Sequence, residues 1–87
     1  MAVVHVPRSL AALIPGMPRA IEVDGADLDA VMRALESAYP GVLDRICEPG
    51  PRIRPFINVF VDGSRADLAT PVAPTSVIHV VPAVAGG

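Results

Sequence analysis

Ser76-Val77-Ile78-His79-Val80-Val81-Pro82 leads directly into Ala83-Val84-Ala85-Gly86-Gly87, and this run decides how the rest of the chain is read. Its first six residues are apolar and β-branched enough to form a strand. Pro82 has no N–H to give to a ladder, so regular pairing stops there. The five residues beyond it carry small or modest side chains and, fully extended, span roughly 16–18 Å. Two glycines remove the Cβ atoms that would obstruct a backbone threading a narrow channel or approaching another chain closely. A frayed terminus is the competing reading, since chain ends are commonly unstructured. The tail alone does not choose between the two.

Working outward, Phe56-Ile57-Asn58-Val59-Phe60-Val61 is the strongest strand pattern, with Ile57, Val59 and Val61 on one face and Phe56, Asn58 and Phe60 on the other. Asp62-Gly63 behind it is turn chemistry. Ala2-Val3-Val4-His5-Val6 reads as a first strand closed by Pro7, and Arg19 to Asp24 as a second in which Ile21 and Val23 alternate with Glu22 and Asp24. Between them, Leu10, Leu13 and Ile14 pin a helical turn or loop to the core. Asp27 is an N-cap for an amphipathic helix whose apolar stripe is Leu28, Val31, Met32, Leu35, Ala38 and Tyr39, with Arg33 and Glu36 opposite. Pro40-Gly41 stops that helix, and Val42 to Cys47 supplies one or two further turns. Glu48 to Pro55 reads as a Pro/Gly-rich loop with exposed arginines. A short edge strand is expected within Arg65 to Val72, with Leu68 facing in and Pro71 limiting it.

The predicted order is β-β-α-β-(β)-β, a single domain over residues 1–87 with a flexible tail at 83–87. One helix covers one face of a mixed sheet, so the strand alternation assigns an open side. Val3, His5, Glu22, Phe56, Asn58, Phe60, Val77, His79 and Val81 fall on it. That surface takes both phenylalanines of the chain, and an exposed apolar patch of this kind marks a protein partner. Ordinary sheet surface is the alternative.

The bulk numbers narrow the classes. With 87 residues and 52% hydrophobic side chains the chain buries one modest core and is not disordered. No apolar run reaches the roughly 20 residues of a membrane span. No secretory signal is evident, and one cysteine excludes an internal disulfide framework. The expected location is the cytoplasm. A net charge of −2 leaves no electrostatic footprint for nucleic acid. All seven basic residues are arginine.

Chemistry-bearing residues within the domain are sparse. His5 and His79 fall on neighbouring strands and the same face, as titrating contacts at an interface or simply as tolerated surface side chains. Two histidines without a third ligand do not make a zinc site, so no metal is expected. Cys47 reads as a small buried hydrophobe. The dispersed Asp27, Asp29, Asp44 and Asp67 form no acid/base pair. Arg52 and Arg54 belong to a solvated loop or touch an acidic partner. No phosphate loop or nucleophile elbow is present.

Read together, Phe56 to Gly63, Leu68-Ala69-Thr70-Pro71-Val72 and Val77 to Gly87 resemble the MoaD/ThiS sulfur-carrier family, and the resemblance covers essentially the whole chain. It implies an α+β, ubiquitin-like β-grasp fold: a mixed four- to five-stranded sheet with one main helix packed on one face. It also implies a carrier rather than an enzyme, with Gly87 as the working residue and Gly86 giving clearance. Ala83, Val84 and Ala85 would thread a partner's channel. A ubiquitin-activating-like enzyme would use ATP to adenylate the Gly87 carboxylate, and a sulfur donor would convert it to a thiocarboxylate. A sulfur-accepting synthase, for cysteine or for molybdopterin, would take the sulfur. The implied docking face comprises Phe56, Phe60, His79, Val81 and His5, with no nucleic acid, membrane or bound cofactor involved. The Pro-Ala-Val-Ala-Gly-Gly ending and the Pro-rich loop look most like the carrier of cysteine synthesis. Ala73-Pro74-Thr75-Ser76 departs from the acidic, Gly-containing turn of many relatives, a change that bears on partner choice. Two further readings stand beside this one: a ubiquitin-like modifier conjugated through Gly87, and a β-grasp interaction domain with an inert tail.

Overall fold

The computed structural model describes residues 1–82. The expectations placed on Ala83, Val84, Ala85, Gly86 and Gly87, including a flexible tail, lie outside the described residues. In chain order the elements are β1 (Ala2–His5), α1 (Arg8–Ala11), β2 (Ala20–Val23), α2 (Leu28–Ala38), α3 (Val42–Ile46), β3 (Cys47–Glu48), β4 (Arg52–Ile53), β5 (Ile57–Val61), β6 (Ser64–Arg65) and β7 (Val77–Pro82).

Five strands form one mixed sheet in the order β2-β1-β7-β5-β6. β7 is central, parallel to β1 on one side and antiparallel to β5 on the other. Parity then sends every second side chain to the same layer. Val4, Val59, Val61, Ile78 and Val80 are buried on one face. Against them lies α2, whose Leu28, Val31, Met32 and Leu35 are essentially inaccessible. Each such side chain contributes about 1.5–3 kcal/mol by leaving water. The helix begins where the sequence places it, because the Asp27 carboxylate accepts the Ala30 N–H at 2.8 Å.

The turn after α2 is held by a side chain assigned to the helix's outer face. Gly41 adopts φ +100°, and the Glu36 carboxylate accepts the N–H groups of Gly41 and Leu43 at 2.9–3.1 Å. Glu36 thus caps the start of α3 from a neighbouring element, and those bonds hold its carboxyl below the ordinary glutamate value.

Several boundaries differ from the sequence reading. Leu13, expected to pin the core, is 54% exposed, because α1 ends at Ala11 before a third apolar position completes the stripe; Leu10 and Ile14 are buried as expected. The Glu48–Pro55 stretch is not all loop: Cys47–Glu48 and Arg52–Ile53 pair as a small hairpin around Pro49-Gly50-Pro51. Arg52 and Arg54 both approach Glu48 there, Arg52 at 2.6 Å. The strand expected within Arg65 to Val72 is only Ser64–Arg65, since Asp67 and Thr70 close a turn immediately after it. Leu68 does pack against the core. Phe56 lies in the turn before β5, whose first residue, Ile57, donates its N–H back to the Arg54 carbonyl.

Candidate functional site

The face of the sheet not covered by α2 carries the candidate site, and strand register fixes what meets on it. His5 stands opposite His79 in the parallel pair, His79 opposite Phe60, and Phe60 opposite Arg65. A transverse row His5–His79–Phe60–Arg65 therefore crosses four strands. The neighbouring positions are Val81 opposite Asn58 on one side and Val3 opposite Val77 on the other, with Glu22 beyond Val3. Val81 is 41% exposed, and Val77 and His79 are exposed beside it. Phe60 is half-buried by its cross-strand neighbours.

His5 and His79 stack, with ring centroids 4.7 Å apart and planes inclined by 13°. Two nearly parallel imidazoles project their nitrogens alongside one another rather than converging on a point between the rings. The pair consequently offers an extended flat surface, not a chelate. No group of three or more His, Cys, Asp or Glu side chains suited to a metal ion occurs among the described residues.

Of the five residues expected at the docking face, four are brought together: His5, Phe60, His79 and Val81. The fifth, Phe56, is 59% exposed but sits in the turn ahead of β5, at the margin rather than on the strand. Arg65 was missed. The signal for it lay in the two-residue Asp62-Gly63 loop, which fixes Val61 opposite Ser64 and hence Phe60 opposite Arg65.

That turn also ties the two longest strands together. Asp62 and Gly63 both have positive φ, +51° and +85°, the conformation of a tight hairpin turn. The Asp62 carboxylate accepts the Val77 N–H at 2.9 Å and the Ser76 hydroxyl at 2.8 Å, and the Ser76 Oγ accepts the Ala73 N–H. These bonds, the Val77 one foremost, hold the Asp62 carboxyl below its ordinary value. Ser76 is the one buried polar residue of the described chain, so the Ala73–Ser76 loop, set apart in sequence from the acidic turn of many relatives, locks the entry to β7.

At the other end of β7, Pro82 borders two recesses. One lies on the open face, about 220 Å³, lined by His5, Pro7, Arg19, His79 and Val81. The other opens beneath the sheet, about 170 Å³, between α1 and β5, lined chiefly by Leu10, Leu13, Arg45 and Ile57. Pro82, the last described residue, thus has open space on both sides. Cys47 takes no part: it is buried, and desolvation raises its thiol above the ordinary value, so it is not an activated thiolate.

The sequence model of the ThiS family matches residues 12–87. The sulfur carrier protein CysO of Mycobacterium tuberculosis is 31% identical over 78 residues, which cover 83% of this chain and 84% of that protein. Small archaeal modifier protein 3 of Haloferax volcanii is 34% identical over 68 residues, 74% of this chain and 73% of the relative. Among solved structures, a chain of the Amycolatopsis orientalis BexX/CysO complex superposes with a TM-score of 0.90 at 26% identity, over 100% of both chains.

Proposed function

This chain belongs to the ThiS family, with a ubiquitin-like β-grasp fold shared with CysO, and from that membership we propose that it is a sulfur carrier working through the Gly87 carboxylate. A carboxylate resists nucleophiles until one oxygen becomes a leaving group. Attack of the Gly87 carboxylate on the α-phosphate of ATP, in a partner enzyme, releases pyrophosphate and leaves an acyl adenylate. Hydrosulfide, or an equivalent sulfur donor, then adds to the carbonyl and expels AMP, giving the thiocarboxylate. That group is a soft nucleophile, deliverable to an acceptor in a biosynthetic synthase. The cysteine pathway is favoured over molybdopterin, on the likeness to CysO and on the sequence resemblance of the Pro-Ala-Val-Ala-Gly-Gly ending to the carrier of cysteine synthesis. The carrier contributes position, not catalysis: a rigid sheet holds the base of the tail while partner contacts along the tail align the reacting carbon.

The observation that carries the reading is the central strand β7 ending at Pro82, which borders two recesses, in a chain whose residues 12–87 match the ThiS family and whose sequence continues from Pro82 as Ala-Val-Ala-Gly-Gly. The experiment is intact-protein mass spectrometry after incubation with ATP, sulfide and the activating enzyme of the same organism. The expected product gains the mass difference between sulfur and oxygen, localised to Gly87. An unchanged mass with a competent enzyme overturns the proposal.

A second reading, conjugation of Gly87 to other proteins, is favoured by the likeness to a small archaeal modifier protein. Since the chain has no lysine, it accepts no lysine-linked copy of itself, and conjugation takes the form of single attachments. Cell-extract peptides with Gly87 in isopeptide linkage to a lysine of another protein would establish it.

A further inference from the structure

Charge is unevenly placed along the sheet. The two ends of β7, Val77 and Pro82, define two poles of the domain. Around the Pro82 pole stand three arginines from three different segments. Arg19 shares the open-face recess with Pro82, and Arg45 shares the lower recess with it. Arg8 follows Pro7, which lines both recesses. All three are exposed, and none enters an ion pair among the described residues. Of the carboxylates toward that side, Glu48 is paired with Arg52 and Arg54, and Asp67 lines a separate recess with Ile57 at the β5 edge. Asp44 lines a third recess beside Arg45, and Glu36 is taken up by the N–H groups of Gly41 and Leu43.

The Val77 pole is the opposite. Asp62 closes its turn against Val77, Glu22 lies across from Val3, Asp24 follows Val23, and Asp27 caps α2. This polarity belongs to a chain whose net charge is −2, so the arginines at the tail end are not part of a general basic excess. A net-negative domain approaching a negatively charged surface is repelled in every orientation except one that leads with such a pole.

We propose that Arg8, Arg19 and Arg45 form a cationic collar around the base of the tail, and that its occupant is a carboxylate-bearing rim on the enzyme that activates Gly87. The proposal rests on the reading of Gly87 as the working residue. A tail that enters an enzyme's channel brings its base to the channel mouth, so the collar meets whatever surrounds that mouth. Arginine suits the contact, since its planar guanidinium pairs bidentately with carboxylates. Leu13, half-exposed beside Arg45, supplies apolar contact within the same footprint. The collar orients the domain tail-first and accelerates encounter.

The test is stopped-flow association of the full chain with the purified adenylating enzyme at low and high salt. The wild-type association rate should fall as salt rises. The triple variant Arg8→Gln/Arg19→Gln/Arg45→Gln should associate about tenfold or more slowly at low salt, with a flattened salt dependence. The corresponding Arg→Lys triple variant keeps the charge and should retain most of the rate. Far-UV circular dichroism checks that both variants are folded. A Gln variant within about twofold of wild type at low salt, with an unchanged salt slope, overturns the collar. So does an acidic pole of a second copy as occupant, seen as concentration-dependent self-association abolished by the Gln variant while enzyme association is untouched. Gly87-dependent pyrophosphate exchange separates the levels. Normal exchange with unaltered Gln-variant association overturns the collar alone, whereas no exchange with wild type overturns the carrier reading and the collar with it.

Discussion

Gly25 is where β2 turns back over the first turn of α2, and replacing it with alanine puts a number on that close approach. A Cβ at this position would lie 2.6 Å from the Val31 backbone nitrogen, 2.8 Å from Val31 Cγ2 and 3.0 Å from the Ala30 carbonyl carbon. Two of the three obstacles are helix backbone, which cannot swing aside as a side chain does. The strand end and the helix must separate, at an overpacking cost of about 1–3 kcal/mol. Alanine returns roughly 0.4–1 kcal/mol by restricting the unfolded chain, leaving a net loss of about 1–2 kcal/mol. Unfolding entropy near 2.1 cal/mol/K per residue gives roughly 180 cal/mol/K for 87 residues. Gly25→Ala should therefore lower Tm by about 5–10 °C in a thermal melt followed by far-UV circular dichroism. Gly16 is the internal control: it has φ +73° and nothing within 4 Å of a built Cβ. There the obstacle is conformational, so Gly16→Asn should be mild while Gly25→Asn is worse than Gly25→Ala. A Gly25→Ala melt indistinguishable from wild type, or Gly25→Asn milder than Gly16→Asn, would refute the close-approach argument.

Other outcomes follow from the site. Val81→Asp places a charge on an already exposed position of the open face, so the melt should scarcely move. If that face docks on the activating enzyme, affinity measured by calorimetry should fall by roughly tenfold or more, the loss typical of a hot-spot contact; equal affinity would remove Val81 from the interface. Glu36→Ala should cost about 1 kcal/mol in urea unfolding, the value of a lost helix cap. Glu36 and Asp62 are both depressed in the folded chain. Their stabilisation is therefore complete above the ordinary carboxylate range and is lost as pH falls from about 4 through the folded values. Glu36→Gln/Asp62→Asn should flatten that acid limb of the unfolding curve, and an unaltered limb would count against these bonds as its source.

The parts of the fold that were legible in the sequence are those with long, uninterrupted periodicity. β5, β7 and α2 each carry enough alternation or stripe to fix both type and facing, and Asp27 marks the helix start. The stacked histidines were also in reach, because parity puts both on one side and adjacency of the two strands does the rest. Short elements were not legible. The Cys47–Ile53 hairpin has two residues per strand around Pro49-Gly50-Pro51, a composition that reads as loop however it is paired. Leu13 looks like a core residue by spacing, but the helix it would belong to ends before reaching it. Glu36 and Ser76 were invisible as structural hubs, since Glu36 holds backbone N–H groups with no sequence signature and Ser76 joins the Ala73 N–H to an Asp62 carboxylate 14 positions away. The arginines about Pro82 come from positions 8, 19 and 45, and only the topology brings them to one end of the sheet.

The placement of β7 has a mechanical consequence. The strand that continues into the tail is held along both flanks, by β1 and by β5. Tension on the C-terminus runs along these ladders while their hydrogen bonds lie across it. Rungs loaded in that way share the force and must rupture together, whereas a strand peeled from a sheet edge gives way one rung at a time. β1 and β7 are parallel neighbours, so tension between the two ends of the domain is again borne in shear. An enzyme that grips the tail, or a motor that tries to unravel the chain from that end, therefore pulls along a strand anchored on both flanks.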